Sequence, residues 1–142
     1  MRYRITPARA PAIFGYVRLH LVDGTYELYR AHYSLRPAHR DPAGSDAKAT
    51  VGIVESMLAL LHETAEAVTH IAVVFDNPIR SFRNDLYLPY KSDDGVPPEL
   101  RAQFDLAEHA VRSIGVAVWS MREYEADDGL ASGARRFWDR GR

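Results

Sequence analysis

The sequence predicts an α/β domain with a mostly parallel central sheet flanked by helices. Short apolar runs occur at 17–22, 71–75 and 116–119, each bounded by turn-forming residues and too short for a helix. Between them lie longer stretches whose apolar residues recur at helical spacing. Strands that alternate with helices call for a parallel sheet covered on both faces. The middle run, Ile71-Ala72-Val73-Val74-Phe75, is rich in β-branched residues and stops on Asp76 before Asn77-Pro78. It reads as the central strand.

The chain has 142 residues, one domain's worth, with 46% hydrophobic and 26% charged residues. A formal net charge of -1 gives no global basic field, so any nucleic-acid signal must be local. The absence of cysteine excludes disulfides and thiolate metal sites and fits a cytoplasmic protein. No apolar run has membrane-spanning length. Residues 1–16 are rich in Arg, Pro and Ala, without a period or a secretory core. They read as a flexible N-terminal arm, with the natural start expected at Val17 through an alternative initiation codon. The domain is then 17–142.

In chain order, a helix is expected over 25–32, then a polar loop over 36–46 with two prolines. A second helix should open at Ser45 or Asp46, both good N-caps. Its buried stripe is expected at Val51, Val54, Met57, Leu58, Leu61 and Ala65. Residues 79–88 read as a short amphipathic helix ended by Pro89, with Arg80, Arg83 and Tyr87 on one side and Phe82 and Leu86 on another. Pro97 and Pro98 suit the first turn of the next helix, which Leu100, Phe104, Ala107, Val111 and Ile114 bury and Gly115 stops. The last helix opens at Glu125 or Ala126. Gly129 and Gly133 lie inside it, each costing about 1 kcal/mol relative to Ala.

Each strand delivers acids near its carboxyl end: Asp23, Asp76, and the trio Glu125, Asp127 and Asp128. An Asp after a strand is commonly a turn former or helix cap, and acids at a helix start suit its dipole. Three strand exits that each carry an acid point further. Like charges about 4 Å apart repel by roughly 4 kcal/mol at an effective dielectric of 20, so such a cluster calls for protons or a cation. Carboxylate oxygens suit Mg2+ or Mn2+, and paired ions of that kind promote phosphodiester hydrolysis. Asp23-Gly24-Thr25 also echoes haloacid-dehalogenase-like phosphatases, but their nucleophile position here is Leu21. The segment 80–91 is the local nucleic-acid signal. Arg80, Arg83 and Lys91 can neutralise phosphates, and Tyr87 or Tyr90 can stack on bases. The rival reading is a solvated helix face. Arg30 is a further candidate phosphate contact, its rival reading a surface cation paired with Glu27.

Four ordered blocks over 17–135, from Leu21 to Arg30, Val74 to Asp76, Ser81 to Lys91 and Tyr124 to Ser132, together resemble the 5′-3′ exonuclease family, which includes the N-terminal nuclease domain of bacterial DNA polymerase I and is related to flap endonucleases. Leu21-Val22-Asp23-Gly24-Thr25-Tyr26-Glu27-Leu28-Tyr29-Arg30 resembles its first motif, and Val74-Phe75-Asp76 its second metal-binding motif. Ser81-Phe82-Arg83 with Tyr87 and Tyr90-Lys91 resembles the arch or gateway over the substrate strand. Tyr124-Glu125-Ala126-Asp127-Asp128-Gly129-Leu130-Ala131-Ser132 resembles the Tyr-Glu-Ala-Asp-Asp-x-Leu-Ala-Ser block.

The resemblance implies a PIN-like fold and Mg2+- or Mn2+-dependent hydrolysis of DNA single strands, flaps or nicked 5′ ends. It implies Asp23, Asp76, Glu125, Asp127 and Asp128 as metal-site acids. Arg83 and Lys91 are implied as the bases nearest the scissile phosphate, and Arg30 as a weaker phosphate contact. Family members continue into a further Asp-bearing strand and a helix-hairpin-helix element. A domain incomplete at the C-terminus is therefore expected. The alternative is a non-catalytic remnant that binds nucleic acid. Gly129 stands where the family usually has an apolar residue, and Ser92-Asp93-Asp94 replaces a basic residue often found after the Tyr-Lys pair.

Overall fold

The computed structural model describes the backbone of residues 2–5 and 17–138, with side chains for 17–138. The chain runs β1 (Arg2–Ile5), β2 (Leu19–Asp23), α1 (Gly24–His32), α2 (Lys48–His62), β3 (His70–Asp76), α3 (Arg83–Leu86), a 3-10 turn (Asp93–Gly95), α4 (Pro98–Arg101), α5 (Phe104–Ser113), β4 (Ala117–Met121) and α6 (Ala126–Trp138). The sheet order is β1-β2-β3-β4. Strands β2, β3 and β4 are parallel, and β1 joins the β2 edge antiparallel. The expected α/β architecture is thus present, with β3 in the interior of the sheet. The expected loose arm is corrected at 2–5, which pair with 19–22. Met1 and 6–16, the rest of the expected arm, lie outside the described residues.

The strand period of two sorts side chains onto two faces. Val22, Val73 and Phe75 join Leu28, Ile53, Met57, Leu100, Phe104 and Val111 in the larger core, under α1, α2, α4 and α5. Leu21, Ala72 and Val74 pack with Ala126 and Leu130 of α6 on the opposite face. Residues Val73, Val74 and Phe75 are completely buried, as a strand covered on both sides requires.

Three local expectations are corrected. Of the expected stripe, α2 fully buries Met57 alone; Ala49, Ile53 and Leu60 are buried with it, Val51 and Val54 are half-buried, and Leu58 and Leu61 are more than one-third exposed. Its sequence is apolar on several sides, so composition permitted either rotation, and contact with α1 and α5 selects one. The 79–88 helix shrinks to α3, with Leu86 80% and Leu88 77% exposed, because no apolar face is there to be packed. The helix expected after Pro97 is broken into α4 and α5. Of its expected stripe, Leu100, Phe104, Ala107 and Val111 are fully buried nonetheless and Ile114 is half-buried; Pro98 opens α4, and Gly115 follows α5 at a φ of +83°.

The two glycines of α6 have a packing role. A Cβ on Gly133 would lie 2.8 Å from the Trp119 ring, and one on Gly129 would lie 2.9 Å from Val74 Cγ1. Their bare backbone lets the helix sit directly on β3 and β4. Gly133→Ala is therefore expected to destabilise the domain by about 1 kcal/mol net: about 1–3 kcal/mol of overpacking against about 1 kcal/mol of helix propensity. A urea titration checks this; a stabilised variant would show that the ring yields freely. Among the described residues no helix is long and apolar enough to cross a membrane.

Candidate metal and nucleic-acid site

Parallel pairing puts the ends of β2 and β3 at one rim of the sheet: Asp23 is opposite Val74, and Asp76 is opposite Met121. Asp23 is the N-cap of α1, its Oδ1 accepting from the Tyr26 N–H at 2.9 Å. Asp76 Oδ1 accepts from the Ala126 N–H at 2.6 Å, so an acid of β3 caps α6. The Thr25 hydroxyl accepts from the Asp76 N–H at 2.7 Å and locks the two rim acids' elements together. Asp128 closes its own helix start, Oδ2 accepting from the Glu125 N–H at 3.0 Å as in a capping box. The capping roles considered from sequence are thus present. They also aim the acids at one place.

The carboxyls also act on one another through their charges. Burial raises the Asp23 carboxyl above its ordinary value, opposed by the Tyr26 N–H and reinforced by the charges of Asp76 and Asp127. Burial likewise raises Asp76; the Ala126 N–H and Lys91 oppose it, and Glu125 and Asp127 add to it. Asp127 is exposed on the first turn of α6.

Two cations from the 81–91 segment enter this cluster. Lys91 Nζ lies 3.3 Å from Glu125 Oε2 and 3.7 Å from Asp76 Oδ2. Burial alone would lower the Lys91 ammonium, but the Asp76 and Glu125 carboxylates outweigh it and raise the group above its usual range. Arg83 grips Asp128 through two bonds of 2.7 and 2.9 Å and lies 3.5 Å from Glu125. Burial alone would raise Glu125; the Ser81 hydroxyl, donating at 2.9 Å, and the two cations hold it below its ordinary value.

The bidentate Arg83 bond, then the Glu125 N–H, hold Asp128 down at about 2. A depressed carboxyl stabilises the fold above its ordinary value of 3.8 and loses that contribution as pH falls through about 2. The urea midpoint should therefore drop between pH 4 and 2, and Asp128→Asn should flatten that drop.

The donor set fits divalent magnesium or manganese in chemistry and charge: hard oxygens, held close enough to repel. It is not a closed cage. Among the described residues no group of three Asp, Glu or His side chains converges tightly enough to hold an ion, and Lys91 and Arg83 already engage Asp76, Glu125 and Asp128.

The remaining candidates lie further out. Arg30 pairs with the buried Glu27 at 2.5 Å and reaches towards Ser56, on the α1–α2 seam, the arrangement the rival reading described. Arg80 is exposed and has no contact with the acids, whereas Tyr87 and Tyr90 are 63% and 42% exposed on the segment that carries Lys91. Arg83 stacks over Phe82, which packs on Tyr124. The Phe82 N–H donates to the Glu123 carbonyl at 2.7 Å, tying the basic segment to the loop before α6. Sequence reasoning gave no role to the Thr25 hydroxyl or to Asn84. Their polar atoms act through backbone groups, which residue spacing does not reveal.

The model of the 5′-3′ exonuclease, N-terminal resolvase-like domain, matches residues 18–141. A DNA polymerase I of Rhizobium leguminosarum is 36% identical over 124 residues, covering 83% of this chain and 12% of that protein. The 5′-3′ exonuclease of Bacillus subtilis is 34% identical over 123 residues, 84% of this chain and 41% of that protein. That of Buchnera aphidicola is 31% identical over 122 residues, 83% and 38% respectively. The chain thus spans only 38–41% of these exonucleases and 12% of the polymerase. With a match over nearly its whole length, the chain belongs to the family of 5′-3′ exonuclease N-terminal, resolvase-like domains.

Proposed function

We propose that this chain supplies the acid-bearing and phosphate-handling part of a divalent-metal-dependent 5′-3′ exonuclease or structure-specific nuclease. Its substrate is DNA with a single-stranded, flapped or nicked 5′ end, in the cytoplasm. The observation that carries the reading is Lys91 Nζ between Asp76 and Glu125, 3.7 and 3.3 Å away. A base from a segment with exposed tyrosines reaches into the acids of the sheet rim, where phosphate and cation would meet.

Asp23, Asp76, Glu125, Asp127 and Asp128 would hold Mg2+ or Mn2+. When bound, such a cation supplies a more acidic water and Lewis-acid stabilisation of the leaving oxygen. The chain's own residues do the rest. Lys91 and Arg83 exchange a carboxylate partner for the scissile phosphate and offset the charge that grows on it. Tyr87 and Tyr90 stack on the unpaired bases, and Arg80 contacts a phosphate further along the strand.

A 5′-labelled flap or single strand incubated with the chain should be cut in Mg2+ or Mn2+ and left intact with chelator. Salt-sensitive binding without cleavage in either metal would instead establish the non-catalytic remnant. That second reading is favoured by one observation: Glu125 and Asp128 are already neutralised by side chains of the same chain.

A further inference from the structure

We infer that Asn84 is a positioning residue that holds Lys91 among the acids. Over 82–90 every side chain is exposed or half-buried except Asn84, which is 1% exposed. Beyond Phe82, which packs on Tyr124, no apolar side chain anchors this stretch, so the path from 83 to 91 depends on polar contacts. Asn84 provides them in both directions. Its Oδ1 accepts from the Ser81 N–H at 3.1 Å. Its Nδ2 donates to the Lys91 carbonyl at 2.6 Å and to the Leu88 carbonyl at 3.3 Å. The partners fix which end of the amide is which: one is a donor and two are acceptors.

One buried amide thereby clips the start of the segment to its end, seven residues apart from Asn84 to Lys91. Both clipped residues reach the same acid: the Ser81 hydroxyl donates to Glu125 Oε1, and Lys91 Nζ lies against Glu125 Oε2. Shifting the Lys91 backbone moves its ammonium away from Asp76 and Glu125. Asp in place of Asn84 keeps the acceptor for Ser81 but sets an oxygen against the two carbonyls. It therefore opens the Lys91 end alone. The catalytic consequence rests on the nuclease reading; the placement of Lys91 does not.

Lys48 and Lys91 are the only lysines in the chain, so reductive 13C-methylation gives two assignable side-chain resonances and keeps both cationic. Lys48, whose ammonium donates to the His32 and Ser34 carbonyls, reports on the fold elsewhere. Asn84→Asp and Asn84→Ala should move the Lys91 resonance to the position of free methylated lysine and leave that of Lys48 unchanged. Cleavage turnover should fall about 10- to 100-fold, the scale of a misplaced catalytic group, and Lys91→Met added to either variant should bring it to the level of Lys91→Met alone and no lower. A Lys91 resonance that stays in place in both folded variants overturns the proposal. So does loss of the Lys48 resonance position in both, which would make Asn84 a folding residue. An unmodified chain without metal-dependent cleavage, but with the expected Lys91 shifts, refutes the nuclease reading and leaves the positioning role standing.

Discussion

Asp76→Asn is expected to weaken Mn2+ binding more than about 100-fold, since loss of a group that merely orients a ligand already costs about 10- to 100-fold. Cleavage of a 5′ flap should vanish with it. The fold should survive, because the amide oxygen can still accept the Ala126 N–H that Asp76 Oδ1 now accepts at 2.6 Å. The sign of the stability change follows from the raised Asp76 carboxyl. A group that binds its proton more tightly when folded costs stability while ionised, and that cost disappears as pH falls through its folded value. The variant is neutral at every pH. At pH 7 it should be at least as stable as the parent, because the raised carboxyl already includes the favourable effect of Lys91. Calorimetry with Mn2+ and thermal melts at pH 7 separate the two effects. Unchanged Mn2+ affinity would remove Asp76 from the metal site, and a collapsed melt would mean that the lost cleavage reports folding.

Much of this geometry was legible because β3 repeats one instruction at several levels. Ile71, Val73 and Val74 are β-branched, the run is too short for a helix, and it ends on an acid before Asn77-Pro78. The parallel order then forces Asp23 and Asp76 to one rim. The opening of α6 was equally plain, since Asp127 and Asp128 favour a helix start. What stayed hidden was set by tertiary choice. The rotation of α2 is decided by its neighbours, because Leu58 and Leu61 are as apolar as Ile53 and Met57. The segment 79–88 has helical spacing without a surface to bury it, so periodicity overstated the helix. Arg83 and Asp128 stand 45 positions apart, and nothing in composition announces that they pair. The same holds for Lys91, which sequence offers as a phosphate contact and which the fold seats between two carboxylates.

That seat gives Lys91→Met two effects of opposite sign. Cleavage should fall about 100- to 1,000-fold, the usual effect of removing one donor that stabilises developing charge. Divalent affinity should rise severalfold over the parent, because the ammonium that now lies 3.3 Å from Glu125 and 3.7 Å from Asp76 no longer competes for them. Met nearly matches the length of the lysine stem, so packing changes little. Without metal the variant leaves Asp76 and Glu125 short of a partner, and its melting temperature should drop. Saturating Mn2+ should return that loss, because a ligand that binds only the folded state stabilises it by mass action. A misfolded protein would lose affinity and turnover together. Opposite movements, read by calorimetry and by cleavage of a labelled flap, identify Lys91 as a cation that holds the acids until metal and phosphate displace it. Equal losses in both would show instead that Lys91 only supports the loop it sits on.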